Sequence, residues 1–261
     1  MPLVSVLLAV HNGSRYLGAA VGSVLGQTLQ DLELIVIDDA STDQTAYLLA
    51  GVGDERLVVL RNEEQAGLAT SLNRGLEAAA GRYVARLDDD DVAVPERLER
   101  QLARIRAEPN VAIVGSAVVD LDAQGGDGRT HRLPRGGTAL RWHALFSSPF
   151  FHPTVLVDRE TLDRHGLRYD PAFLESEDYD LWTRLFVFAD GANMLEPLVG
   201  KRVHAEQASL RRSDVQQSFQ REVALREIAR VAPELSREQA ELAWGLGSGR
   251  TAPTKEAGEA L

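Results

Sequence analysis

Apolar residues recur along the first hundred positions in two rhythms. VSVLLAV (Val4 to Val10), LELIVI (Leu32 to Ile37), RLVVL (Arg56 to Leu60) and YVARL (Tyr83 to Leu87) are short continuous runs. Their length and β-branched content suit strands buried on both faces. Between them the spacing widens to the helical period. Leu17, Val21, Val24 and Leu25 fall on one helix face, with Ser14 placed to cap it. Leu68, Leu72, Leu76 and Ala79 fall on another, ended by Gly81. A short helix is expected through Tyr47 and Leu48, and Pro95 opens one that carries Leu98, Leu102 and Ile105. Strand and helix thus alternate four times. That order predicts an α/β fold: a mostly parallel sheet with helices on both faces, joined by right-handed crossovers.

After VAIVGSAVV the rhythm changes. DAQGGDGRTHRLPRGG has the glycine and charge of a loop or hairpin. SSPFFHPTVLV and EPLVGKRVH read as strands, with a helix from about Glu177 to Ala189 between them. From Ser213 to Trp244 the chain reads as helices broken at Pro233. The closing GSGRTAPTKEAGEAL has little to bury and is expected to be disordered. These changes divide the chain into 1–120, 121–210, a helical appendage at 211–245 and a tail at 246–261.

Composition narrows the function classes. The 261 residues are 44% hydrophobic, enough for one large domain or one domain with an appendage. A net charge of -11 leaves no nucleic-acid footprint. The absence of cysteine removes disulfides, thiolate metal sites and cysteine nucleophiles together. No apolar run approaches the roughly 20 residues that span a bilayer, so no transmembrane segment is expected. The first strand begins with no charged segment ahead of it, so neither is a signal peptide. A cytoplasmic protein is the expectation, with peripheral contact at the inner face of the membrane left open.

In such sheets ligands bind beyond the carboxyl ends of the strands. Three polar clusters fall there: His11 and Asn12, Asp38 and Asp39, and Asp88 to Asp91. Four adjacent carboxylates repel, each raising the cost of ionising its neighbours. Mg²⁺ or Mn²⁺ would relieve that repulsion; such hard ions take oxygen ligands and need few carboxylates when phosphates supply the rest. Alternate residues of extended chain point the same way, so Asp88 and Asp90 could converge on one ion. The plain alternative is a polar turn with acids favoured by a helix N-terminus. Position at the ligand-binding edge favours the ion.

Other clusters are less specific. In IDDASTD, Ser41 to Asp43 suit an Asx-type turn, while Asp38 and Asp39 could accept hydrogen bonds from a ligand, or Asp38 could only brace the loop. LESEDYDLWTRL sets Glu175, Glu177, Asp178 and Asp180 at the start of an amphipathic helix. Acids are ordinary there, yet a general base could also reach a substrate hydroxyl from it. His152 in FFHPTV reads as a hydrogen-bonded structural residue. Lys201, Arg202 and His204, with Arg211 and Arg212 after them, could neutralise a phosphate or merely solvate a surface. The HAEQAS stretch looks like a turn that could fold over a site.

Taken together, VSVLLAVHNGSRYLGAAVGSVLGQTLQDLELIVIDDASTDQT, GLATSLNRGLEAAAGRYVARLDDDDVAVPERLERQ, HPTVLVDRE, ESEDYDLWTRL and KRVHAEQAS resemble, in order, the segments of the family 2 glycosyltransferases. The resemblance covers about residues 3 to 210. It implies the Rossmann-like GT-A fold, an inverting reaction, a nucleotide-diphosphate sugar donor, a divalent cation (Mn²⁺ or Mg²⁺) and a glycan, lipid-linked or other hydroxyl acceptor. Cell-surface polysaccharide or glycoconjugate synthesis is the implied setting. Residues 1–120 would then be the donor half and 121–210 the acceptor half. Carried over by motif, Val10, His11, Asn12 and Asp39 would hold the nucleoside, with Asp39 at the base. Asp88 and Asp90 would hold metal and diphosphate, with Asp91 adjacent and His204 near them. Asp178 would be the catalytic base. Two features depart from the family pattern: His11 stands where an aromatic is often found, and DDDD has an acid where a small residue is common, which leaves open which carboxylates would bind the ion.

Two alternatives remain at this level. A metal-dependent nucleotidyltransferase would want a basic glycine-rich loop after the first strand, where HNGSRYLG supplies only Arg15. A non-catalytic nucleotide-sugar or glycan-binding module would bind without turnover, and the aspartate run together with SEDYD argues against it. Acceptor specificity is expected between about Asp120 and Arg168 and in the tail.

Overall fold

VSVLLAV is a strand because neither of its faces meets solvent. In the computed structural model, which describes residues 1–122, 124–204 and 213–251, it forms β1 (Val4–Val10). Val4, Val6, Leu8 and Val10 enter one apolar layer and Leu7 the layer behind the sheet. β2 (Leu32–Asp38), β3 (Leu57–Arg61) and β4 (Tyr83–Arg86) run parallel to it in the order β3-β2-β1-β4. Val4 pairs with Leu32 on one side and Tyr83 on the other.

The helices divide between the two layers as the apolar spacing predicts. α1 (Leu17–Leu25) and α4 (Arg97–Ala107) pack Leu17, Val21, Leu98 and Leu102 against the Val4 face. α3 (Leu68–Ala78) packs Leu72 and Leu76 against the Leu7 face. α2 (Thr45–Ala50) is the short helix through Tyr47. Ser14 does not cap α1: no side chain does, and the Ser14 N–H goes instead to Asp43 Oδ2 at 3.1 Å. The chain reaches across because Asn12 takes a left-handed conformation (φ 57°) after β1.

Beyond β4 the strand directions become mixed. β8 (Leu156–Asp158) lies antiparallel to β4, and β6 (Val111–Leu121) antiparallel to β8. β9 (Asp190–Arg202) runs parallel to β6, and β5 (Val92–Ala93) closes the sheet antiparallel to β9. The glycine-rich stretch is a hairpin, with β7 (Asp127–His131) returning along β6. Helices α5 (Gly137–His143) and α6 (Arg159–Arg164), absent from the sequence reading, flank β8. SSPFFHPTVLV makes a 3₁₀ turn at His152–Thr154 before entering β8, since Pro153 has no N–H for a ladder. α7 (Glu177–Leu185) ends four residues before Ala189.

The C-terminal helices α8 (Ser213–Val231) and α9 (Arg237–Gly247) form a third apolar cluster. In it Val223, Ile228 and Trp244 meet Tyr179 of α7 and Phe146. Asp180 of α7, only 1% exposed, lies 2.6 Å from Arg184 and 2.5 Å from Arg226, which ties α8 to α7. A Ser236–Gln239 capping box starts α9. No helix among the described residues is long and apolar enough to cross a membrane. Arg211, Arg212, HAEQAS after His204, and the expected tail from residue 252 lie outside the described residues.

Candidate active site

Parallel pairing of β1 with β2 and β4 gathers the loops after Val10, Asp38 and Arg86 at one sheet edge. Asp38 is spent on structure: its Oδ1 accepts the Ser41 N–H at 2.9 Å, and Arg61 stands 3.7 Å away. Asn12 is also structural, its amide oxygen accepting the N–H groups of Thr42 and Asp43 at 2.8 and 3.2 Å. His11 Nδ1 lies 2.6 Å from the Asp39 carbonyl, which can only accept, so Nδ1 carries the proton and Nε2 accepts from the Asn12 amide at 3.1 Å.

Val10, His11 and Asp39 line a cavity of about 340 Å³, closed on the far side by Pro171 and Leu174; Asn12 does not line it. Asp39 is held from behind. Its Oδ1 accepts from Asn62 (2.6 Å) and the Ala66 N–H (2.8 Å), and its Oδ2 from the Gly67 N–H (2.9 Å). Burial pulls its pKa upward, but these donors outweigh that and hold the carboxyl below its usual range. Gly67 can serve because its φ of 85° suits glycine. Three bonds leave Asp39 with acceptor capacity to spare.

The aspartate run resolves into a group of three and one outlier. Asp88, Asp90 and Asp91 each bring a carboxylate oxygen within 4.8 Å of the others. Asp89 turns away and packs on Gly13, where a Cβ would collide with its Oδ2 and come within 2.5 Å of Val10 Cγ2. Burial, then the charges of Asp90 and Asp88, push Asp89 up to about 7.

Pairing of β5 with β9 sets Asp91, whose Oδ1 accepts the Arg202 N–H at 2.9 Å. Its Oδ2 is buried and has no hydrogen-bond partner among the described residues. Burial, with the Asp88 charge next, raises both Asp91 and Asp90. An orphaned carboxylate oxygen beside two others, in a place that resists negative charge, is the donor set a hard divalent cation fits. His204 reaches this group through Asp90, its Nε2 lying 2.9 Å from Asp90 Oδ2. Arg202 is committed to the carbonyls of Asp90 and Asp122 at 3.0 and 2.9 Å and lies over the Tyr16 ring.

A second cavity, also about 340 Å³, is lined by Asp88, Asp90, Arg86, Ser148, Asp178 and Lys201 among others. It shares Leu68, Glu175 and Glu177 with the first, so the two adjoin. Asp178 Oδ2 accepts from Ser148 Oγ at 3.2 Å. Burial raises Asp178 to about 6, and burial together with the Asp178 charge raises Glu177 to about 8. Both cannot ionise freely side by side, so between those values the pair holds one proton and one negative charge. Glu175, at the rim, holds a left-handed φ of 60°, a strained conformation for a non-glycine residue. His152 is a wall residue: its Nε2 is 3.0 Å from Tyr169 Oη, and burial, with Arg86 nearby, keeps it well below its ordinary pKa.

Four polar cavity residues escape the sequence reading: Arg86, Ser148, Gln216 and Gln220. Arg86, 4% exposed and ion-paired with Asp88, did leave a signal. A cation inside an otherwise apolar strand must have a partner, since buried charge is costly alone. Ser148 and the two glutamines are brought in by tertiary packing alone.

A model of the family described as Glycosyl transferase family 2 matches residues 5–161, more than half of the chain. The amylovoran biosynthesis glycosyltransferase AmsE of Erwinia amylovora is 29% identical over 215 residues, which cover 80% of this chain and 80% of that protein. Among solved structures, S. aureus TarS in complex with UDP-GlcNAc aligns with a TM-score of 0.74 at 18% identity, over 98% of this chain and 74% of that one. The mannosyltransferase PcManGT from Pyrobaculum calidifontis, in complex with GDP-Man and Mn²⁺, aligns with a TM-score of 0.64 at 19% identity, over 99% and 78%. At those identities the structural likeness is one of fold. The fold is therefore GT-A, and the chain belongs to glycosyl transferase family 2.

Proposed function

We propose that this glycosyltransferase moves a sugar, with inversion, from a nucleotide-diphosphate donor to an acceptor hydroxyl, aided by Mn²⁺ or Mg²⁺ at Asp88, Asp90 and Asp91. The observation that carries the reading is one cavity lined by both the aspartate group and Asp178, adjoining a second that holds Asp39.

Val10, His11 and Asp39 bound the nucleoside, with Asp39 accepting from the base. Asn12 keeps their loop in place, and His204 orients Asp90. A bound cation supplies stabilisation of the negative charge that grows on the departing diphosphate. Asp178 takes the proton of the acceptor hydroxyl as its oxygen attacks the anomeric carbon opposite the diphosphate. The new C–O bond forms as the bond to the diphosphate oxygen breaks, and the single displacement inverts the centre. Ser148 aims the Asp178 carboxylate, and burial beside Glu177 raises the pair so that its negative charge is held ready to take a proton.

The UDP-GlcNAc and GDP-Man complexes of the two structural neighbours support the donor class, and the Mn²⁺ of one supports the cation. The amylovoran relative supports polysaccharide synthesis as the setting; a glycan or lipid-linked acceptor and a cytoplasmic enzyme at the inner face of the membrane complete the proposal. The test is a screen of UDP-, dTDP- and GDP-sugars with Mn²⁺, in which one donor is expected to be consumed, chelator to stop the reaction and added Mn²⁺ to restore it. NMR of the product should show the opposite anomer. Undiminished turnover in chelator would remove the cation, and a retained anomer would remove the single displacement.

A further inference from the structure

α8 lies outside the segment that the family model matches, yet two of its residues reach the reaction cavity. Gln216 and Gln220 are four positions apart, on one face of the helix, and line the cavity that holds Asp88, Asp90 and Asp178. Their seat is fixed against the start of α7. Ser176 Oγ donates to the Gln216 carbonyl at 3.2 Å, Gln216 Nε2 donates to the Glu175 carbonyl at 3.1 Å, and Phe219 meets Phe173 edge to face.

Each amide is half used. Gln216 Oε1 has no partner among the described residues; Gln220 Oε1 accepts from Arg250 at 3.3 Å, and its Nε2 has none. The pair thus offers the cavity one acceptor and one amide donor without charge. Phe151 and Pro153 supply apolar surface to the same cavity. Sugar hydroxyls both donate and accept, and the C–H face of a sugar packs on apolar surface. The base Asp178 works ionised and a second carboxylate, Glu175, lines the same cavity, so a carboxylate on the acceptor would meet like charge beside the attacking hydroxyl.

We infer that Gln216 and Gln220 form the acceptor subsite and that the group seated there is a neutral sugar. The inference rests on the glycosyltransferase reading above. Its test uses the full chain, Mn²⁺ and the donor found by screening. The probes are p-nitrophenyl glycosides of glucose, galactose, mannose, N-acetylglucosamine and N-acetylgalactosamine, with p-nitrophenyl glucuronide as the charged counterpart. A neutral glycoside should be accepted and the glucuronide refused. Gln216→Ala and Gln220→Ala should each raise acceptor KM by up to about tenfold, the worth of one hydrogen bond, and donor KM far less. Gln220→Glu, which keeps the size but loses the donor, should act in the same direction; among the described residues the Gln220 side chain bonds Arg250 alone, so its variants are expected to fold even if Gln216→Ala does not. Acceptor KM within twofold of the parent in the Gln220 variants, preference for the glucuronide, or donor hydrolysis with no glycoside accepted would each overturn the subsite. If no nucleotide sugar is consumed at all, the reading of the whole site fails first.

Discussion

The two halves of the sheet deliver functional groups by different routes. In the β1–β4 half, chemistry follows strand ends directly: His11 comes one residue after Val10, Asp39 one after Asp38, and Asp88 two after Arg86. In the other half it is assembled from distant chain. Asp91 is fixed by Arg202, 111 positions later; Asp178 by Ser148, 30 positions earlier; and the cavity is closed by glutamines from α8. The first route sets the proposed donor contacts chiefly by the ends of β1, β2 and β4, with Asp39 braced by Asn62, Ala66 and Gly67. The second makes the proposed base and acceptor geometry depend on how α7, α8 and the Ser148 segment pack.

The largest effect should come where the second route carries the chemistry. Asp178→Asn keeps the shape and removes the base, so kcat is expected to fall about a thousandfold while donor affinity holds. Nucleotide binding by calorimetry and single-turnover kinetics check both parts, and a fully active variant would end the base assignment. In the parent, the raised carboxyl is protonated below about pH 6 and ionised above it, so kcat/KM should fall by about tenfold per unit on the acid side.

Next in size is the tie between α7 and α8. Removing the Asp180 carboxylate leaves Arg184 and Arg226 facing each other across its place. Both arginines are about a third exposed and can hydrate, so Asp180→Ala should cost about 2 kcal/mol in urea unfolding, less than for fully buried charges. If the second half works as described, acceptor KM should rise more than donor KM. Equal changes in both would erase the contrast between the halves.

That contrast also explains what could be read from sequence. The parallel strands, α1, α3 and α4, and the three strand-end clusters were legible because continuous apolar runs and helical spacing are local, and topology then places their ends together. α5 and α6 were not, since each buries a single leucine, Leu140 or Leu162, and so has no period to detect. Ser14 looked like a cap, but the Asp43 carboxylate captured its N–H. Which of the four aspartates group together was equally hidden, because Asp89 is turned aside by a contact with Gly13 from another loop.

Gly13 offers a test of that contact. A methyl group there meets Asp89 Oδ2 and Val10 Cγ2, an overpacking expected to cost about 1 to 2 kcal/mol and to disturb the neighbouring aspartates. Gly13→Ala should therefore weaken Mn²⁺ binding, read by the free-ion EPR signal, and lower the unfolding midpoint. Adding Asp89→Ala should recover part of both losses, since one of the two collisions is gone. Additive damage in the double variant would mean that Asp89 does not sit against Gly13 in solution.

The smallest expected effect is the sharpest probe of the assembled half. Ser148 Oγ lies 3.2 Å from Asp178 Oδ2 and 3.1 Å from the Phe150 carbonyl, and its single hydrogen is shared between them. The bond to Asp178 favours the ionised carboxylate, so losing it raises the pKa of that carboxyl. Half of a hydrogen bond of about 1 kcal/mol corresponds to roughly 0.4 pH unit. Ser148→Ala should accordingly shift the acid limb of kcat/KM upward by that amount. Near pH 5 it should react about twofold more slowly than the parent, and near pH 8, well above the acid limb of either protein, at nearly the same rate. Ser148→Thr, which keeps the hydroxyl, should restore the limb. A limb that stays in place, or moves to lower pH, would assign it to another acid of the cavity, with Asp89 the first candidate because it too is raised toward neutrality.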